Sequence, residues 1–285
     1  VVFSLNFKPT LGIILFMKFA MRLSYLGKNY CGWQVQLHAN PELAPKFPSI
    51  QETVEAALSR IIDQPVKVVA SGRTDAGVNS VGQVIHFFCE DEKYTPYVFK
   101  RGMNSLLPPD IRVMEIYPVA EDFHSQRSAT HKQYSFYFQQ GPCALPHLMD
   151  TTWWINKKLD LEAMREGLSA LVGEHDFKPF QASGAPADRS TVRRILEAEI
   201  SEEKMPVFPG CDLDDLGFSV VRVRIIGTGF LKQMVRGIAG TLLQMGEGYR
   251  PASDMKLILD TQDRKKVGPT AAAKGLTLEK VWYKT

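Results

Sequence analysis

Ser71-Gly72-Arg73-Thr74-Asp75-Ala76-Gly77-Val78 stands between two apolar runs, Val66 to Ala70 and Val84 to Phe88. Both runs are rich in β-branched and aromatic residues and read as strands, joined by a tight polar connection that extends to Gly82. The connection concentrates a cation, a hydroxyl and a carboxylate between glycines, which permit positive φ and close backbone approach. A carboxylate on such a turn can be presented from a rigid scaffold into a cleft. The same residues also suit a simple turn in which Asp75 bonds its own backbone. Pattern alone leaves both readings open.

Outward from this stretch, helix and strand periods mix. Phe19, Met21, Leu23 and Tyr25 alternate with polar or small neighbours, the mark of a half-buried strand, which Gly27-Lys28-Asn29 breaks. Leu37 to Pro48 holds three prolines and reads as a loop. Ser49 and Glu52 have capping-box spacing at the head of a helix whose apolar face is Ile50, Val54, Ala57, Leu58 and Ile61. Ile111 to Tyr117 is a further strand. Tyr134, Phe136 and Phe138 alternate along another. Asp160 can cap a helix carrying Leu161, Met164, Leu168 and Leu171, with an exit into a loop at Gly173 to Phe177. Arg193 to Ile200, Phe218 to Ile225 and Leu278 to Tyr283 read as strands. Phe230, Met234, Ile238, Leu242 and Met245 mark a long apolar helix ended by Gly246. The expected fold is α+β: an N-terminal half, residues 17–120, and a C-terminal half, residues 121–285, each bearing a mixed sheet, with the site in the cleft between them. Residues 1–16 are expected to be an extension with Met17 as the natural start, because the apolar run Leu11 to Phe16 is too short to span a bilayer and no cleavage site follows it.

Bulk properties narrow the function classes. A chain of 285 residues, 45% hydrophobic, can bury a core without metal or disulfides. Cys31, Cys89, Cys143 and Cys211 are widely spaced with no CxxC, which argues against a zinc ribbon and a disulfide framework and suits a reducing, cytoplasmic setting. A net charge of +3 requires that any nucleic-acid surface be local. Clusters exist at Arg193-Arg194, at Arg222 with Arg224 on one face of a strand, at Lys157-Lys158 and at Arg264-Lys265-Lys266. No HExxH, close His/Cys pair or Walker A loop occurs, and Gly227-Thr228-Gly229 lacks a third spaced glycine.

The stretch 71–78, followed by Gly82-Gln83-Val84, resembles the catalytic motif of TruA-type tRNA pseudouridine synthases. Further blocks are similar in the family's order: Tyr25 with Gly32-Trp33-Gln34; Phe123-His124 and Ser128-Ala129-Thr130 running into Tyr134; Gly173 to Phe177 and Val192-Arg193; Gly229-Phe230-Leu231, Met234-Val235-Arg236 and Gly240 to Leu243; Pro269-Thr270-Ala271 and Gly275-Leu276. Asn79 departs from the family's usual histidine, and Ala272-Ala273 from a more proline-rich tail.

The resemblance implies isomerisation of uridine to pseudouridine in the anticodon stem-loop of tRNA, without metal or cofactor, by a cytoplasmic homodimer. It implies Asp75 as catalytic carboxylate, Arg236 as its cationic partner and Tyr134 as the active-site tyrosine, whose ring can stack on the displaced base and whose hydroxyl can help remove the C5 proton. A carboxylate in a partly dry site needs such a cation to stay charged. Arg73 would hold or replace the extruded nucleotide. Arg193, Arg194, Arg222 and Arg224 are candidate RNA contacts. Two other readings compete: an RNA-binding module without catalysis, and a glycosidase-like hydrolase, which would need a second carboxylate such as Glu174 or Asp176.

Overall fold

The computed structural model describes residues 17–36, 46–90, 93–184, 190–203 and 217–284. The expected extension 1–16, most of the Leu37 to Pro48 loop and the whole Met205 to Asp215 stretch, Cys211 included, lie outside them.

Among the described residues ten strands form one sheet. The first core gathers β1 (Met17–Tyr25), β2 (Val69–Ala70), β3 (Asn79–Cys89) and β4 (Ile111–Val119) with helices α1 (Ile50–Ile62) and α2 (Pro96–Leu106). The second gathers β5 (Ala129–Gln140), β6 (Trp153–Ile155), β7 (Gly173–Asp176), β8 (Val192–Glu203) and β9 (Ser219–Gly227) with α3 (Leu161–Ser169), α4 (Met234–Gly246) and α5 (Asp254–Thr261). The last strand, β10 (Leu276–Tyr283), runs between them. The order is β4-β1-β3-β10-β5-β9-β8-β7, with β2 on β3 and β6 on β5.

The α+β class holds, but two sheets have become one. The C-terminal strand pairs antiparallel with β5 along its length and parallel with β3 through Thr277–Asn79 and Leu278–Ser80. Two hydrophobic cores, one built from residues 19–113 and one mainly from 134–278, therefore share a continuous backbone ladder.

Local signals explain most elements. The capping box at α1 is formed: Ser49 Oγ accepts from Glu52 N, and Glu52 Oε2 accepts from Ser49 N at 2.9 Å. Thr95 caps α2 with Pro96 at its first turn, a start signal that the sequence reading passed over. Asp160 caps α3 as expected, but Gly173 to Asp176 is an edge strand, β7, rather than a loop. The long apolar helix begins at Met234, four residues later than its apolar period suggests, because Gln233 takes a left-handed φ of 60°. Helix α4 is apolar nearly all round and buried accordingly. A Cβ on Gly240 would lie 1.6 Å from the Pro269 carbonyl oxygen, so only glycine lets the tail cross the helix this closely. No helix among the described residues is long and apolar enough to cross a membrane.

Asn79, the departure from histidine, is buried at the start of β3. Its Oδ1 accepts from Gly27 N at 2.8 Å, and its Nδ2 donates to the carbonyls of Asp150 and Lys274, both at 2.9 Å. One amide thus ties the turn after β1, the segment before β6 and the C-terminal tail to the exit of the 71–78 loop. A neutral imidazole, with one donor and one acceptor, could serve two of these partners but not all three.

His86, on β3, is also buried. Its Nδ1 accepts from Ser125 N at 3.1 Å and lies 2.9 Å from Ser125 Oγ, which itself donates to the Val69 carbonyl at 2.7 Å. An Nδ1 engaged by a backbone N–H is an acceptor, so the proton sits on Nε2. Burial, helped by the charges of Lys18, His124 and Arg127, pushes its pKa down to about 4.

Two outcomes are expected. Asn79→Ala strands three buried backbone groups, each worth about 1–3 kcal/mol when unpaired, so it should lower unfolding free energy by about 3 kcal/mol; Asn79→His should lose less. An unchanged denaturant midpoint for the alanine variant would remove the clamp. For His86 the unfolded chain binds the proton more readily than the folded one, so its contribution is complete above about pH 6.5 and is lost as pH falls through about 4. Melting temperature should drop more steeply between pH 7 and 4 in the wild type than in His86→Asn, whose Oδ1 can still accept from Ser125; parallel slopes would contradict this.

Candidate active site

The 71–78 connection is shorter than its composition suggests, because β3 already begins at Asn79. Its backbone is fastened on every side. Ser71 N donates to the Val84 carbonyl at 2.7 Å, Ser71 Oγ to Gln83 Oε1 at 2.7 Å, and Gln83 Nε2 to the Gly72 carbonyl at 2.8 Å. Trp33 N donates to the Thr74 carbonyl at 3.0 Å, and Thr74 Oγ1 shares a 2.9 Å hydrogen bond with the buried Tyr25 hydroxyl. Val78 N closes the turn on the Asp75 carbonyl at 3.1 Å, with Gly77 at φ 76°. Thr74 is buried, while Arg73 on one side is exposed and Asp75 on the other is half-buried. The simple turn, in which Asp75 bonds its own backbone, is not what forms: no hydrogen bond from the loop backbone reaches the Asp75 carboxylate among the described residues.

That carboxylate faces Arg236, one turn into α4. Arg236 Nη1 lies 3.7 Å from Asp75 Oδ2. This is an ion pair rather than a hydrogen bond by distance, so the carboxylate keeps lone pairs free for another partner. The guanidinium is anchored from behind: Nε donates to the Ala271 carbonyl at 2.8 Å, and Ala271 N donates back to the Arg236 carbonyl at 3.1 Å. Burial lowers the pKa of Arg236 and Asp75 opposes the shift, and a guanidinium stays charged throughout. Its side chain is 15% exposed and that of Asp75 26%, so water screens the pair only partly.

Tyr134 occupies the β5 face that looks toward this pair. Its ring packs edge-on against Phe230 with centroids 5.0 Å apart. Burial, reinforced by Tyr25 and Asp75, drives the phenol pKa well above its usual value, so the resting hydroxyl holds its proton. The structure therefore brings Asp75, Tyr134 and Arg236 together from a loop, a strand and a helix, with Arg73 exposed two residues before Asp75.

The other cations divide. Arg193 packs beside Gly229, next to Phe230, and donates through Nη1 to the carbonyls of Ser190 and Val192 at 2.8 and 2.6 Å. Arg194 is exposed. Arg222 and Arg224 lie elsewhere, which corrects the expectation that they offer a free basic surface. They pair in register with Tyr137 and Ser135, hence on the face of β5 opposite Tyr134. Arg222 Nη2 meets Glu279 at 2.5 Å, and Arg224 meets Glu197 at 3.0 Å and Glu199 at 2.7 Å. Burial works against the Glu279 charge, but hydrogen bonds from Tyr137 and Ser135 and the Arg222 guanidinium hold its pKa below the usual carboxylate value. Lys157 reaches the Tyr249 hydroxyl at 2.6 Å.

Glu174 and Asp176, the second carboxylates a hydrolase would need, sit on β7, the outermost strand and three places from β5. Asp176 Oδ1 is engaged as an acceptor from Lys178 N at 2.9 Å. Among the described residues no group of three His, Cys, Asp or Glu side chains is arranged to hold a metal ion.

One residue of the site escaped the sequence reading. Lys132 stands two places before Tyr134, on the same face of β5, and its Nζ donates to the Ser71 carbonyl at 2.6 Å. The alternation that singled out Tyr134, Phe136 and Phe138 also covers position 132, but a lysine near a strand end reads as solvated.

Comparison with known proteins identifies the family. The family model described as tRNA pseudouridine synthase matches residues 22–126 and 168–284, which include Asp75 and Arg236. Proteins named tRNA pseudouridine synthase A are similar over nearly the whole chain: that of Myxococcus xanthus is 39% identical over 93% of this chain and 91% of its own. The proteins of the same name from Chlamydia muridarum and Francisella tularensis subsp. novicida are 38% and 31% identical, again over 93% of this chain and 92% and 93% of their own. The chain belongs to the tRNA pseudouridine synthase family.

Proposed function

We propose that this enzyme isomerises uridine to pseudouridine in the anticodon stem-loop of tRNA, with Asp75 as the catalytic carboxylate. The observation that carries the reading is the Asp75–Arg236 pair facing Tyr134 at the junction of the two cores. In the reaction the glycosidic C–N bond breaks, the uracil turns, and a C–C bond forms to the same sugar carbon. C5 loses a proton and the former glycosidic nitrogen gains one, so the reaction balances without oxidant, metal or cofactor.

Each residue has a part that its placement suits. A carboxylate beside sugar and base can act as nucleophile or stabilise positive charge at the sugar. Arg236 keeps it charged from the side away from solvent, at a distance that leaves its lone pairs available. The Tyr134 ring supplies a face for the displaced base. Its protonated hydroxyl serves as a hydrogen-bond partner, and takes part in C5 proton removal only by passing its own proton on as it receives another. Arg73, exposed beside Asp75, suits the space or the phosphate left by an extruded nucleotide. Arg193 and Arg194 remain candidates for the phosphates flanking it. The same reading includes a cytoplasmic homodimer in which one tRNA touches both subunits.

The test is tritium release from tRNA carrying the label at uridine C5. Release without free uracil is expected, whereas free uracil would point to a hydrolase. Asp75→Ala should abolish release while tRNA binding survives. Arg236→Gln should slow it on the order of 10²-fold, the scale of losing one preorganised electrostatic partner. Undiminished turnover by Asp75→Ala would overturn the proposal.

A further inference from the structure

The half-buried ammonium of Lys132 has no part in the reading above. It is not paired with any carboxylate among the described residues, which is uncommon for a lysine partly removed from water. Its hydrogen bond goes instead to the Ser71 carbonyl, at the root of the catalytic loop, at 2.6 Å. Gly72 is the complementary feature: a Cβ there would stand 2.8 Å from Lys132 Nζ. Gly72 does not have a left-handed φ, so its value lies in the space it leaves rather than in its backbone freedom. An ammonium seated in a groove made by a missing side chain, and aimed at one loop carbonyl, is a built contact.

We propose that Lys132 is a positioning residue for the reaction: seated against Gly72, it fixes the first turn of the 71–78 loop from the sheet side and thereby sets the direction in which Arg73 and Asp75 project. The inference rests on the reading of Asp75 as the catalytic carboxylate. Two cations then divide the labour. Arg236 serves the carboxylate itself, and Lys132 serves the backbone that carries it, without competing for the carboxylate oxygens. Gln83, which holds Ser71 Oγ and the Gly72 carbonyl, braces the same turn but leaves the Ser71 carbonyl to Lys132.

Burial lowers the Lys132 pKa to about 8, and burial alone accounts for the shift. The titratable groups on the elements packed against it, Arg73 and Asp75 on the loop, Tyr134 on β5 and Lys280 and Tyr283 on β10, do not contribute to it. As the ammonium loses its charge, the charge-assisted bond to Ser71 weakens with it.

The experiment is single-turnover pseudouridine formation with enzyme in excess, together with tRNA affinity by filter binding, for Lys132→Met, Gly72→Ala, the double variant and Lys132→Arg. Lys132→Met and Gly72→Ala should each slow the chemical step about 10²-fold, the scale of a misplaced catalytic group, while tRNA affinity changes less than about threefold. The double variant should be no slower than either single one, because both remove one contact. The wild-type rate should fall above about pH 8, and that fall should be absent from Lys132→Arg, whose guanidinium stays charged. Wild-type rates for Lys132→Met, a loss confined to affinity, additive slowing in the double variant, or an unchanged alkaline fall in Lys132→Arg would each overturn the proposal. If Lys132→Met does not fold, Gly72→Ala decides alone, and a wild-type rate there is equally fatal. Asp75→Asn measured alongside keeps the two claims apart: activity in that variant sinks the catalytic reading itself, whereas an inactive Asp75→Asn beside a fully active Lys132→Met sinks only this one.

Discussion

A carboxylate and a guanidinium meet across the junction of two hydrophobic cores, and the functional architecture follows from keeping them there. Asp75 stands on the loop between β2 and β3, strands of the N-terminal part of the sheet, and Arg236 on α4, whose apolar residues lie in the second core. Both charges sit in a half-dry cleft, where a charge removed from water without a partner is costly. Holding both in place therefore requires that the two cores keep a fixed relation.

The C-terminal strand supplies that relation. By pairing with β3 on one side and β5 on the other, β10 joins two groups of strands into a single ladder. The tail that leads into it performs two further tasks: the Ala271 carbonyl orients the Arg236 guanidinium, and the Lys274 carbonyl is one of the three groups gathered by Asn79. Residues close in sequence thus fix the cation and the exit of the carboxylate loop. The same segment passes over Gly240 so closely that a side chain there would displace it. Damage to the tail should disturb the site even though the tail contributes none of the side chains of Asp75, Tyr134 and Arg236.

Much of this was legible in the residues. The capping box at Ser49, the cap at Asp160, and the alternation of Tyr134, Phe136 and Phe138 are short-range signals, and each produced the element it announces. The pairing of the 71–78 loop with Arg236 was suggested by resemblance rather than by period. What escaped depends on long-range contacts. Period two places Arg222 and Arg224 on one face of a strand, but only the position of Glu279, far away in sequence, shows that this face carries its own carboxylates. Joining the sheets needs the last strand to find β3 across nearly two hundred residues, which no local pattern encodes. Gly173 to Asp176 looked like a helix exit because a glycine ends the apolar period, yet pairing with β8 makes it an edge strand. Lys132 was invisible for a similar reason: its significance lies in Gly72, a residue with no side chain.

The most direct measurement is a crystal structure of the inactive Asp75→Asn protein with substrate tRNA. One uridine should be extruded from the RNA, with its base against the Tyr134 ring, its sugar beside position 75, and Arg236 still held by the Ala271 carbonyl. A complex in which the RNA binds with every base stacked outside the cleft, or in which Arg236 has left the cleft for a phosphate, would contradict the account.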